Sequence, residues 1–394
     1  MRTRTLFPIN FDPHLLVGLL LVICLVAGAC GSTSTVGNPV GAPGTTDFTQ
    51  HLQSQLAAKM QEMHVPGAVI FVQSARTGSW VTNLGTSNIA THAPMNPDLY
   101  FRIGSITKTL TGTVILQLVD QGKLRLDDPV AKYQPEVPNG GHITLRELLD
   151  MRSGLYNYSE DDSFGQALEA HPNRVWTPQE LIAISFKHPP YFAPGQDFHY
   201  SNTNFILLGM IIEQITGHPV EYEFQQRIFT PLGMTHSLLP PRPSTEIPAP
   251  YAHGYMFNTP AISNDEINES TQNLADVTIW NPSWGWTAGS AISTLHDLEI
   301  WAKALASGKL LSPATQKERL TWTTTIASDK YGLAIADFNG FIGHNGQLPG
   351  YQCFEGYMPE KDATIVVLTN LYQAPDGSKP ADTLAGMITN AISS

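Results

Sequence analysis

The sequence predicts an α+β fold: an antiparallel sheet flanked by helices, with an all-α lobe inserted between its strands. Three observations carry this. Strand-like runs sit at both ends of the chain, helical patterns fill its middle, and the strand connections are a few residues long. Such short links favour antiparallel pairing, because parallel strands need long crossovers. With 394 residues the chain is long enough to bury a large core without staples.

The first 30 residues differ from the rest. Arg2 and Arg4 precede an apolar run from Leu15 to Val26, which ends in Ala27-Gly28-Ala29-Cys30. About a dozen apolar residues are too few for a spanning helix, and the order of basic, apolar and small residues is that of a signal peptide. Cys30 resembles a bacterial lipobox cysteine, the residue that takes a diacylglycerol anchor. Ala27 stands where lipoproteins usually carry Leu, so a plain secretory cut after Ala29 remains the alternative. Residues 31–46, rich in Gly, Ser, Thr and Pro, have no apolar period and read as a flexible tether. The expected location is the outer face of a bacterial cell membrane, or otherwise the medium.

From Gly67 the chain reads Ala-Val-Ile-Phe-Val-Gln-Ser, a Gly-containing turn, then Trp80-Val-Thr-Asn-Leu-Gly, the pattern of a hairpin. Helices are expected over Ile106–Gln121, Leu145–Met151, Pro178–Phe186, Phe205–Thr216 and Glu221–Phe229. The first ends before Gly122 and the fourth before Gly217. Residues 240–283 are rich in Pro, Asn and Ser and are expected as loops over a cleft. Further strands are expected at Tyr331–Ala336, Phe341–His344, Tyr351–Met358 and Ala363–Leu368, followed by a helix over Ala381–Ile392. The catalytic domain is thus placed at 47–394, with its sheet part at about 47–120 and 285–394 and its helical lobe at about 121–284.

Composition excludes some functions. With 22 Lys+Arg against 34 Asp+Glu, the chain lacks the basic surplus that phosphate backbones require, so no nucleic-acid partner is expected. Three cysteines make no disulfide framework, and no two of the 13 histidines lie within four positions of each other. Neither a local zinc pair nor a phosphate-cradling Gly loop is present, so no metal and no cofactor are expected. The Gly-x-Ser-x-Gly elbow of α/β-hydrolases is also missing. The aromatics of Ile279–Trp286 either line a cleft or pack between lobes.

Ser105-Ile-Thr-Lys108 puts a hydroxyl and an amine three residues apart at a helix start. At that spacing they share one face, and the amine can take the hydroxyl proton. The bland alternative is Ser105 as an N-cap with a solvated Lys108. Tyr200-Ser-Asn202 lies in a loop before a helix, and His344-Asn345-Gly346 lies on a strand. Each pattern alone is expected about once by chance in a chain of this composition; their order and context carry the weight.

Together these segments resemble the three motifs of the active-site-serine penicillin-recognising family, which includes class C β-lactamases, D-Ala-D-Ala carboxypeptidases and related esterases. Leu124-Arg-Leu-Asp-Asp-Pro-Val, Ser153-Gly-Leu, Pro231-Leu-Gly-Met and Ala288-Gly-Ser-Ala-Ile-Ser-Thr-Leu resemble it in the same order, so the likeness runs from about residue 50 to the C-terminus. The resemblance implies a β-lactamase/transpeptidase-like fold and an acyl-enzyme hydrolase acting on an amide, lactam or ester carbonyl. Its alternatives are a short-chain carboxylesterase and a sensor that binds cell-wall fragments without turnover. Ser105 would be the nucleophile, Lys108 its proton acceptor and Tyr200 a second acid/base. Asn202, His344, Asn345 and Gly346 would bind substrate, Asn202 also holding Lys108 in place and His344 offering polarity or a positive charge. The backbone N–H groups of Ser105 and Gln347, the latter on an edge strand, would form the oxyanion hole. Asn345 stands where the peptidases carry Thr or Ser, which places carboxypeptidase and β-lactam specificity in question. The partners implied are a small-molecule or cell-wall peptide substrate and, through Cys30, a membrane; the sequence does not set the oligomeric state.

Overall fold

The structure, a computed structural model, describes residues 45–257, 274–326 and 329–393. The leader over 1–30, Cys30, the tether as far as residue 44, and 258–273 of the expected loop region lie outside the described residues. Residues 45 and 46, expected in the tether, lie instead in helix α1 (Thr45–Glu62).

A nine-stranded antiparallel sheet forms the frame. In chain order its strands are β1 (Gly67–Ser74), β2 (Gly78–Asn88), β3 (Ala93–Pro94), β4 (Thr324–Ile326), β5 (Asp329–Tyr331), β6 (Ala336–Phe338), β7 (Phe341–Leu348), β8 (Tyr351–Met358) and β9 (Ala363–Thr369). Across the sheet they run β3-β2-β1-β9-β8-β7-β6-β5-β4. The two chain-terminal strand groups meet where β1 pairs with β9, Ala68 opposite Thr369 and Val72 opposite Ile365.

Both faces of the sheet are covered, which explains the unbroken apolar run of β1. Val69 and Phe71 face the core shared with the helical lobe, whereas Ala68, Ile70 and Val72 face a second core. That second core is closed by Leu52, Leu56 and Met60 of α1 and by Leu384, Ala385 and Ile388 of the C-terminal helix Pro380–Ser393. Each of the Leu, Met and Ile side chains among them contributes about 1.5–3 kcal/mol by leaving water.

Helix α2 (Thr107–Asp120) runs through the middle of the larger core and is buried on every side from Thr107 to Leu116. Its hydroxyls are satisfied locally or by neighbours: Thr111 Oγ1 donates to the Thr287 carbonyl at 2.7 Å, and Thr109 Oγ1 accepts from the Trp301 indole at 2.8 Å. Around it stand α3 (Leu145–Leu149), α4 (Asp162–Ala170), α5 (Pro178–Ser185), α6 (Asn202–Thr216) and α7 (Leu295–Ser307). Thr144 and Thr177 start α3 and α5 with full capping boxes, and left-handed Gly217 ends α6.

Two expected elements differ. The strand expected over Tyr331–Ala336 is broken, because Ala334 adopts φ 56° and its N–H donates to the Leu149 carbonyl at 2.9 Å, drawing the turn onto α3 instead of the ladder. The helix expected over Glu221–Phe229 is α-helical only at Val220–Phe224 and continues as a π turn over Gln225–Phe229. Among the described residues of 240–283, Tyr255–Phe257 pairs with Leu274–Asp276 as a short ribbon, so this region is not all loop.

Candidate active site

Ser105 lies in a 3₁₀ turn, Gly104–Ile106, that leads directly into α2. The turn is anchored behind: Phe101–Arg102 pairs with Ile292–Ser293, and the Ile103 N–H donates to the Ala291 carbonyl at 2.9 Å. In front it presses against β7. A Cβ on Gly104, whose φ is +53°, would lie 2.5 Å from Gln347 N, and one on Gly346 would lie 2.0 Å from the Ile103 carbonyl oxygen and 3.2 Å from Ser105 N. Only glycine at both positions lets turn and strand approach so closely, and this contact brings the backbone amides of Ser105 and Gln347 to one place.

Strand β7 is a local edge at Gln347, although its first residues are paired on both sides. Phe341, Ile342 and Gly343 pair with β6, and the side left open from His344 onward is the one the Ser105 turn covers.

Lys108 is fully buried on the first turn of α2. Its Nζ lies 3.0 Å from Ser105 Oγ and 2.7 Å from the Ala288 carbonyl oxygen, under the rings of Tyr200 (4.8 Å) and Phe205 (5.6 Å). Burial pushes its pKa well below that of an exposed lysine, so the amine is available as a base. The N-cap alternative for Ser105 fails, since no side-chain cap is made and α2 begins two residues later. The expectation that Asn202 holds Lys108 is corrected as well: the Ala288 carbonyl does so, and Asn202 Nδ2 donates instead to Ser159 Oγ at 2.9 Å.

Tyr200 is half-buried, but its Oη is out of contact with solvent and makes no full hydrogen bond. Burial pushes its pKa up, and the nearby Ser105 hydroxyl offsets part of that rise. The lysine and the phenol are therefore driven apart, one toward the neutral amine and the other toward the protonated phenol, which separates base from acid.

His344 requires a further correction. It is buried, does not line the cavity, and stands behind Tyr200 with ring centroids 6.3 Å apart. Its Nδ1–H donates to the Asn345 carbonyl at 2.6 Å, leaving Nε2 to accept from the Tyr331 hydroxyl at 3.2 Å. Burial, then the neighbouring Lys108, lower its pKa to about 3, so it carries no positive charge into the site.

The cavity over Ser105 has a volume of about 630 Å³. Tyr200, Asn202, Asn345, Gly346 and Gln347 line it, as expected site residues. The sequence did not single out the remaining walls: Asn157 and Ser159, then Phe164 and Glu169 of α4, then Tyr372 and Lys379 near the C-terminal helix. These come from separate segments with no shared spacing, so no local pattern could have found them. The aromatic segment divides, with Trp280 and Trp284 lining the cavity and Trp286 buried in the core. Among the described residues no group of three or more His, Cys, Asp or Glu side chains could hold a metal ion, and no helix is long and apolar enough to cross a membrane.

A serine at the mouth of a buried helix, a buried lysine on its hydroxyl and a tyrosine above both, set between a sheet and a helical lobe, define a serine hydrolase of the acyl-enzyme type. The family model described as Beta-lactamase matches residues 52–386, and the chain belongs to that family. PbpX of Bacillus subtilis (strain 168), named as a penicillin-binding protein, is 29% identical over 330 residues, covering 83% of this chain and 75% of that one. Protein flp of Staphylococcus aureus (strain N315) is 26% identical over 340 residues, and the match spans 83% of this chain but only 64% of flp. Among solved structures, a D-stereospecific amidohydrolase from a Streptomyces species superposes with a TM-score of 0.73 at 30% identity, covering 86% of this chain and 97% of that one.

Proposed function

We propose that the protein hydrolyses small amides, or esters of similar shape, through an acyl-enzyme on Ser105. The observation that carries this is the fully buried Lys108 with its Nζ 3.0 Å from Ser105 Oγ. In this mechanism Ser105 Oγ attacks the carbonyl carbon while its proton passes to Lys108 Nζ. The resulting oxyanion takes hydrogen bonds from the backbone N–H groups of Ser105 and Gln347. The C–N bond (C–O in an ester) then breaks, and the leaving group collects the proton held on Lys108, directly or relayed through the Tyr200 hydroxyl, which leaves Lys108 neutral again. Water attacks the acyl ester with the same base, restoring Ser105.

The cavity supports a compact substrate of low net charge. Its described lining carries one carboxylate, Glu169, and one ammonium, Lys379, and His344 adds no charge. The likeness to a D-stereospecific amidohydrolase agrees with a D-configured amide; the likeness to PbpX favours a cell-wall peptide as the second reading. Export through residues 1–30, with Cys30 as lipid anchor, belongs to the same proposal and would place the enzyme at the outer membrane face.

Incubation with a fluorophosphonate, a D-amino-acid p-nitroanilide and an aryl ester, followed by mass spectrometry, tests the chemistry. An adduct on Ser105 with at least one of these is expected; no adduct with any would refute it. Fatty-acid labelling of the cellular protein, lost in Cys30→Ala, tests the anchor.

A further inference from the structure

The third motif carries Asn345 at the cavity wall, and its amide is not free to turn. Asn345 Nδ2 donates to Asp382 Oδ2 at 2.8 Å, across from the first turn of the C-terminal helix. An ionised carboxylate only accepts, so the NH₂ end must face Asp382. The other end, Oδ1, takes no hydrogen bond from any described residue, and Asn345 lines the cavity. The helix is itself clipped to the strands, since the Ala381 N–H donates to Gln352 Oε1 at 2.5 Å. Asp382 therefore cannot drift away from Asn345 without that helix moving.

We infer that Asp382 is a positioning residue that fixes Asn345 with its acceptor oxygen toward the substrate, so that the site selects a ligand bearing an N–H donor there and rejects one bearing a carboxylate. The inference rests on the proposed function above and deepens it, because it names what the wall beside Ser105 recognises. A hydroxyl at position 345 could rotate to donate to a carboxylate; an amide whose NH₂ is held by an anion cannot. A carboxylate there would meet a lone pair on Oδ1 with the Asp382 charge behind it, whereas an amide N–H or an ammonium would find an acceptor.

Asp382 can also be titrated. Burial raises its carboxyl to about 6, while Asn345, Lys379 and Gln352 favour the charged form; the other titratable groups around it are Asp329 on β5 and Cys353 on β8. When Asp382 takes up a proton, its new O–H can donate, and the constraint on Asn345 is released.

The experiment follows the rate of fluorophosphonate labelling of Ser105 in the full chain, protected by N-acetyl-D-alaninamide or by N-acetyl-D-alanine. In the wild type the carboxamide should protect at a concentration about tenfold lower than the carboxylate. That preference should fall toward unity in Asp382→Asn, and in the wild type as the pH drops through 6. A merely structural role for Asp382 would weaken protection by both ligands equally and leave the ratio in place. Equal protection in the wild type, or a ratio that neither the substitution nor the pH series moves, overturns the inference. Should Asp382→Asn not fold, the wild-type pH series decides alone. If the wild type is not labelled at all, the proposed function falls and this inference with it; if it is labelled and the ratio stays fixed, only this inference falls.

Discussion

Lys108 Nζ is held by the Ala288 carbonyl on one side and meets Ser105 Oγ on the other, at 2.7 and 3.0 Å. A neutral amine has two N–H donors and one lone pair. With a donor committed to Ala288, the lone pair can turn toward the serine, which is the geometry a proton acceptor needs. Ser105→Ala should remove all covalent labelling. Lys108→Ala should slow acylation by about a thousandfold, measured by single-turnover labelling, with the circular dichroism spectrum unchanged.

Burying that amine has a thermodynamic consequence. The folded pKa of Lys108 is lowered, whereas in the unfolded chain it is near 10.4. Between the two values the unfolded state binds one proton more, so this group makes stability rise with pH across that window. The wild type should therefore gain about 1.4 kcal/mol per pH unit relative to Lys108→Met there, read from urea midpoints at several pH values. Parallel curves for the two proteins would show that the amine is not held neutral.

The Ser105 turn and β7 share no side-chain room. Gly346→Ala should cost about 1–3 kcal/mol and reduce acylation by about a hundredfold, because relieving a 2.0 Å approach to the Ile103 carbonyl displaces the Ser105 and Gln347 amides. Gly141→Ala, where nothing lies within 4 Å, should stay within about 0.5 kcal/mol of wild type. Thermal melts and labelling rates of the pair check both.

His344 is neutral with a folded pKa of about 3, against about 6.5 when unfolded. In that interval the unfolded state is the more protonated, so His344 lowers stability as the pH falls, relative to His344→Asn. The acid limb of the activity profile should lie at the same pH in both proteins, since His344 does not titrate there. Tyr331→Phe should cost about 1 kcal/mol by leaving the imidazole Nε2 without its donor.

What could be read from the sequence follows from how local each feature is. Ser105 and Lys108 are joined by the turn that opens α2, and Tyr200 with Asn202 by the start of α6, so their short spacings can be read locally and their order along the chain gives them weight. The strands β1 and β9 are visible because both their faces are buried and their central residues are apolar or β-branched, and β8 because it is rich in aromatics between short turns. The break at Ala334 was invisible, since it depends on the Leu149 carbonyl, far away in the chain. The charge state of His344 was misjudged for the same reason: burial under Tyr331 and beside Lys108 decides it, and neither contact is local. Helix α7 carries a local signal of its own, since the Thr294 hydroxyl accepts from the Asp297 N–H at its start.

The close contact of Gly104 and Gly346 with facing backbone also bears on how such an enzyme could change over time. The reacting atoms are held by main chain in the core, while the walls above them come from α4, from Met256 and from Tyr372 and Lys379 ahead of the C-terminal helix. Substitutions in those outer walls can alter which molecule enters without disturbing the atoms that cleave it. New selectivity can therefore arise one wall at a time on an unchanged chemical centre.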